Sequence, residues 1–152
     1  MRVQTYLTQH GSEFVVQQMS SSTRTAEDAA RSIGCQVAQI AKSLVFKDVN
    51  NGKPILVVAS GVNRVSIEKV EQATGLVLGK ANAAYVKEQT GFTIGGVPPV
   101  AHHSKILTLL DTDLQRFSVL WAAAGTPNSV FKLQSDELQR LTEGRWIKLA
   151  SE

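Results

Sequence analysis

The chain has 152 residues, of which 43% are hydrophobic, so one domain can bury a sizeable core without disulfide or metal staples. Sixteen Lys and Arg against thirteen Asp and Glu give a net charge of +3 with no basic run, which suits a polyanion held briefly and equally suits no nucleic acid at all. A single cysteine, Cys35, excludes an internal disulfide, no Cys/His spacing resembles a zinc site, and no apolar run is long enough to span a bilayer or serve as a signal peptide. A protein of the reducing cytoplasm, away from membranes and without a cofactor, is the expectation.

Val3, Tyr6, Leu7 and His10 fall at helical spacing before Gly11 and predict a short opening helix. Phe14-Val15-Val16 reads as a strand, and 20–24 as a polar loop. Thr25 with Asp28 three residues on resembles a capping box for a helix running through Ile33 to a stop at Gly34. Strands follow at Val37 to Val49, bent near Lys42, and at Ile55 to Ala59, joined by the hairpin signal Asn50-Asn51-Gly52. Ser66 to Thr74 has helical spacing and ends at Gly75; after a short strand, Asn82 caps a helix from Ala83 to Thr90 that buries Tyr85 and Val86 and ends at Gly91.

The segment from Gly91 to Ser104 holds three glycines, two prolines and two histidines without a regular period, which is loop chemistry and a natural place for function. Ile106 to Leu110 and Val119 to Ala124 are continuous apolar runs, expected of central strands covered on both faces. The turn Gly125-Thr126-Pro127-Asn128, a strand at Val130 to Leu133, a helix capped by Ser135 and stopped near Gly144, and a strand at Trp146 to Leu149 complete the chain. The alternation predicts a single α/β domain with a central mixed β-sheet surrounded by helices, over residues 1–152.

Lys42 is the residue that calls for an explanation, because it interrupts the apolar stretch Gln39-Ile40-Ala41-Lys42-Ser43-Leu44-Val45-Phe46. An ammonium carried inward must find an anionic partner or lose its proton, and no carboxylate lies near it in sequence. A ligand phosphate is one such partner; a lysine that lies along the surface with its head in water is the other reading. The turn Gly95-Gly96-Val97-Pro98-Pro99 would form a second wall, glycine letting the backbone approach a ligand and proline fixing its shape.

The order QIAKSLVF, ILVVASGVNRVS, TGFTIGGVPPVAHH and VLWAAAGTPNSVFKL resembles the YbaK proteins and the editing domain inserted in bacterial prolyl-tRNA synthetases, over nearly the whole chain. The resemblance implies a YbaK-like fold and a trans-editing deacylase that hydrolyses the ester between a wrong amino acid and tRNA, proline tRNA foremost. A synthetase pocket separates amino acids differing by one methylene by only about 1 to 3 kcal/mol, so a second, hydrolytic sieve supplies the missing accuracy. Its partners would be mischarged tRNA, through the 3'-terminal aminoacyl-adenosine, and a synthetase that delivers it. A non-catalytic module of the same fold that binds aminoacyl-tRNA or a synthetase is the alternative, and an unrelated small-ligand protein using the Gly95 loop is a second.

By that resemblance Lys42 would hold the phosphate of the terminal adenosine and position the ester. Gly95, Gly96 and Pro98 correspond to the family's glycine-proline loop, whose main-chain groups would contact the aminoacyl moiety and donate to the developing oxyanion. Ala101 stands where many members carry another glycine. Gly125, Thr126 and Pro127 correspond to a second loop facing the same pocket, with Thr126 hydrogen-bonding the substrate's amino group or a water, although the same residues also make a plain turn.

His102 and His103 carry imidazoles suited to a general base, but the resemblance assigns neither a catalytic part; adjacent positions on a strand face opposite ways, and His102 is kept as a substrate-binding candidate on the RNA side. Cys35, with no acid or histidine close in sequence, reads as a small hydrophobe. Tyr85, Trp121 and Trp146 could stack on a base and read more simply as core. The expected mechanism is metal-free and has no side-chain nucleophile: water attacks with help from a substrate group such as the neighbouring ribose hydroxyl, which would explain why no triad is visible. Which amino acid is removed depends on a pocket volume that the sequence does not give, and the sequence does not say which tRNA is recognised.

Overall fold

A computed structural model describes residues 2–11 and 14–151. Helix boundaries follow the caps. In α1 (Arg2–His10), Val3 and Leu7 are buried on one face. In α2 (Ala26–Ile33) the Thr25 hydroxyl accepts from the Asp28 N–H at 3.1 Å, and Gly34 closes the helix in the left-handed region. Ser66 caps α3 (Ile67–Thr74) and Asn82 caps α4 (Ala83–Thr90) by the same bond to the third helical residue. The last helix, α5 (Ser135–Thr142), begins one residue earlier than expected. Gln134 is its cap, its N–H donating to the Glu137 carboxylate at 2.7 Å, so Ser135 is the first helical residue.

The strands are β1 (Val16–Gln18), β2 (Ile40–Asp48), β3 (Pro54–Ser60), β4 (Leu78–Lys80), β5 (Leu107–Asp111), β6 (Leu120–Ala123), β7 (Ser129–Leu133) and β8 (Arg145–Ile147). They form one mixed sheet in the order β1-β7-β6-β2-β3-β5-β8, with β4 paired to the far end of β2. The β2–β3 hairpin is antiparallel and sets Lys42 opposite Ala59. β6 runs parallel to β2, while β5 and β8 continue the sheet in parallel beyond β3. The expected single domain with a central mixed sheet and surrounding helices is the architecture found.

Other elements also differ from the sequence reading, β8 among them, which spans Arg145–Ile147 rather than Trp146 to Leu149. Val37–Gln39 form a 3-10 turn, so β2 starts at Ile40. Phe14 and Val15 precede β1; Phe14 is buried in the core while Val15 is 57% exposed. A second 3-10 helix at Thr112–Arg116, unannounced by any apolar period, is opened by the Asp111 side chain accepting from the Asp113 N–H.

Two core clusters lie on the two faces of β3. Leu56 and Val58 point into the larger one with α1, β6 and β7, and Ile55, Val57 and Ala59 point into the smaller one with Val70 of α3. β5 is covered in the same way, as expected of its apolar run. β6 is not: Leu120 and Ala122 are buried while Trp121 and Ala123 are half-buried, so the run Val119 to Ala124 has an open face.

Candidate functional site

The open face of β6 looks into a cleft of about 400 Å³. It exists because β2 and β6 are paired only at Ile40–Trp121 and Ala41–Ala122, beyond which the two parallel strands part. A crevice at the carboxyl end of diverging parallel strands is a common ligand site in open sheets. Residues 40–44 of β2 form one wall and 121–123 of β6 another, with the 23–27 segment leading into α2 and the glycine loop at Ile94, Gly95 and Val97 closing the sides.

Lys42 lines this cleft and is half-buried. Its ammonium donates to the main-chain carbonyl of Asn63 at 2.6 Å and reaches the Gly61 carbonyl at 3.5 Å. Burial pushes its pKa below the ordinary lysine value, an effect opposed by the charges of Glu27 and Asp111 and reinforced by Arg64. The loop that seats it is itself braced: the Asn63 side-chain amide donates to Asp111 at 2.7 Å and to Asp113 at 2.8 Å, and buried Asp111 also accepts from the Ser60 N–H. The sequence reading found Lys42 and missed this brace, whose carboxylates stand more than sixty residues away along the chain.

Gly95 takes a φ of 95°, and a side chain there would collide with the stem of Arg24, which lies across it. Gly96 does not line the cleft. Its N–H donates to the Thr93 carbonyl at 3.0 Å, and a Cβ on it would stand 3.0–3.1 Å from the backbone of Thr126. The two glycine loops therefore touch backbone to backbone, and Gly96 is the position that lets them. Pro98 is buried and is not among the residues that line the cleft.

Gly125, at φ 104°, fits its loop against Phe92 and Val3. The Thr126 hydroxyl is used inside its own turn, 2.7 Å from the Ser129 hydroxyl and 3.0 Å from the Asn128 side chain. Pro127 contributes its carbonyl, which accepts from both the N–H and the hydroxyl of buried Thr23. This loop reaches the cleft indirectly, by holding the 23–27 segment in place. That segment read as an ordinary polar loop and helix start, yet Thr23, Arg24 and Glu27 line the cleft. Ser43 lines it too. Its Oγ is the one buried side-chain polar atom without a hydrogen-bond partner among the described residues.

His102 faces another hollow, near Tyr6, Leu141 and Glu143. Its Nε2 donates to the Pro98 carbonyl at 2.7 Å, and burial holds the imidazole below its ordinary pKa against the opposing effect of that bond. Ala101 beside it sits at φ 65°, a left-handed bend that a glycine would take without strain. His103 is exposed and bonds to the Glu88 carbonyl. Cys35 lies with Ala29, Ala30 and Ile40 in a small apolar cluster, and burial raises its thiol pKa, which disfavours the thiolate. Tyr85 is spent on the Gly52 carbonyl and Trp146 packs on the core; Trp121 alone of the three aromatics lines the cleft.

The profile of the aminoacyl-tRNA editing domain matches residues 20–141, a span that contains every wall of this cleft. The chain belongs to the aminoacyl-tRNA editing domain family. A crystal structure described as a provisional trans-editing enzyme for prolyl tRNA synthetase superposes with a TM-score of 0.92 at 40% identity, covering 99% of this chain and 96% of that one. YwhH, an uncharacterized protein of Bacillus subtilis (strain 168), is 35% identical over 99% of this chain and 96% of its own length. EbsC of Enterococcus faecalis (strain ATCC 700802 / V583), provisionally named a Cys-tRNA(Pro)/Cys-tRNA(Cys) deacylase, is 25% identical over 84% of this chain and 77% of its own. At family level the editing domain is a hydrolase of aminoacyl-tRNA. Among the described residues no helix is long and apolar enough to cross a membrane.

Proposed function

We propose that this editing domain is a trans-acting deacylase that removes a wrong small amino acid from tRNA, proline tRNA foremost, in the cytoplasm. The observation that carries the reading is Lys42: a half-buried cation seated by main-chain carbonyls on the wall of a cleft that a glycine loop also lines. A lysine needed only for solubility would not be held inward at the cost of desolvation. One of its protons remains for a ligand after the bonds to Asn63 and Gly61, which suits a terminal phosphate.

In this reading Lys42 anchors the phosphate of the 3'-terminal adenosine and so sets the ester against the Gly95 loop. The Gly95 N–H, which has no main-chain partner among the described residues, polarises the ester carbonyl. Gly96 and Pro98 fix that loop, Gly125 and Pro127 fix the 23–27 wall, and Thr126 stabilises its own turn. Water adds to the carbonyl carbon, the neighbouring ribose hydroxyl takes part in moving its proton, and the ester C–O bond breaks to give free amino acid and a tRNA 3' end. A cleft of about 400 Å³ has room for a small side chain beside the ribose. His102, turned to Pro98, has no part in this scheme.

The reading is tested by a deacylation screen that crosses alanine, cysteine, serine and threonine with proline and alanine tRNAs. Turnover of at least one mischarged pair, with correctly charged prolyl-tRNA spared, is the expected result. Retained tRNA binding with no turnover on any pair would favour a binding module instead.

A further inference from the structure

An aminoacyl ester brings more than a phosphate and a carbonyl into the cleft, because its α-amino group is largely an ammonium near neutral pH. If the cleft takes that group, it needs an anion or strong acceptor there. Three formally charged side chains line the cleft: Arg24, Glu27 and Lys42. Two are cations, so Glu27 is the only carboxylate that faces it among the described residues. Thr126, to which the family resemblance gives the amino group or a water, has its hydroxyl committed inside its own turn.

The position of Glu27 follows from packing. Ala29 and Ala30 of α2 are buried against Ile40 of β2, which fixes the first turn of the helix over that strand. Ile40 and Lys42, two apart on a strand, share a face, and Glu27 in the first turn of α2 lines the same cleft as Lys42 from the adjoining wall. Glu27 is exposed and has no ion pair within 4.0 Å among the described residues, whereas its neighbour Asp28 is engaged by Arg31 at 3.2 Å. It is thus a carboxylate left open at the site rather than one consumed by the fold.

We propose that Glu27 receives the α-ammonium of the aminoacyl group and so makes the site selective for esters with a free amine. The proposal rests on the deacylase reading and adds a residue to it. Glu27 here is a substrate-binding residue that orients the ester between Lys42 and Gly95. It also explains how the cleft could reject peptidyl or N-blocked esters, which carry the same RNA end and the same carbonyl.

The test compares one mischarged tRNA with the same tRNA N-acetylated, using the wild type, Glu27→Gln, Glu27→Asp and, as a control, Asp28→Asn. The wild type is expected to prefer the free amine by about tenfold or more in kcat/KM, as loss of a charge-assisted hydrogen bond implies. Glu27→Gln should lose that preference by slowing only on the free amine, Glu27→Asp should keep part of it, and Asp28→Asn should keep all of it. An equal fall of Glu27→Gln on both substrates would mean that Glu27 acts through Lys42, and would overturn the proposal, as would a wild type indifferent to acetylation. A wild type inert on every mischarged tRNA would overturn the deacylase reading and this proposal together.

Discussion

The Lys42 ammonium is bonded to the carbonyl of Asn63 at 2.6 Å, and the Asn63 side chain is bonded in turn to Asp111 and Asp113. The cation of the cleft is therefore positioned by a loop whose shape is set by two carboxylates, one the last residue of β5 and one just beyond it. Asn63 does not line the cleft, so its removal separates positioning from contact. Asn63→Ala should cost about 1–3 kcal/mol, because Asp111, 1% exposed, loses one of its donors. Deacylation should fall about tenfold through a displaced Lys42. Denaturant unfolding and single-turnover kinetics on one protein sample check both, and unchanged kinetics would show that the brace does not position the lysine.

The orphan hydroxyl of Ser43 predicts the opposite sign. A buried Oγ without a partner costs desolvation and returns nothing to the folded state. Ser43→Ala should leave stability unchanged or raise it by up to about 1 kcal/mol, while changing the relative rates on serine-, threonine- and alanine-charged tRNA. A loss of stability would mean that the hydroxyl has a partner in solution.

Contact between the two glycine loops is tight enough to be tested by one carbon. A Cβ at Gly96 would stand 3.0–3.1 Å from three backbone atoms of Thr126, and backbone gives way less readily than a side-chain tip. Gly96→Ala should destabilise the protein by about 1–3 kcal/mol and lower activity by pushing the Gly95 wall out of place. Wild-type stability in that variant would show that the loops can part at no cost.

These sites show which features the sequence exposed and which it hid. Caps at Thr25 and Asn82 were legible because capping is a local bond between residues three apart. Lys42 and Gly95 were legible because each breaks a local pattern, one by charge and one by a turn. The wall at 23–27 was not, since it is held by the Pro127 carbonyl more than a hundred residues on, and a polar loop looks the same whether or not such a bond exists. The open face of β6 was hidden for a similar reason: an apolar run does not say that its neighbour strand departs after two pairs.

His102 gives a pH dependence unrelated to the cleft. Burial lowers its pKa in the folded state from the ordinary 6.5, so below about pH 6.5 the unfolded chain binds a proton that the folded chain resists. Stability contributed by the neutral ring is full above pH 6.5 and declines as the pH falls toward the lower folded value. His102→Gln, whose amide can still donate to Pro98, should flatten that decline in unfolding measurements between pH 7 and pH 5. An unaltered slope would assign it to other groups.

The central claim is that Lys42 positions the charged end of an aminoacyl-tRNA in this cleft, and the most direct measurement is single-turnover deacylation by Lys42→Ala. With the best substrate of the screen and folding verified by thermal melting, the account predicts a rate lowered by about a hundredfold, as expected when a reacting group loses its orientation. A folded Lys42→Ala protein that deacylates at the wild-type rate under subsaturating enzyme would contradict it.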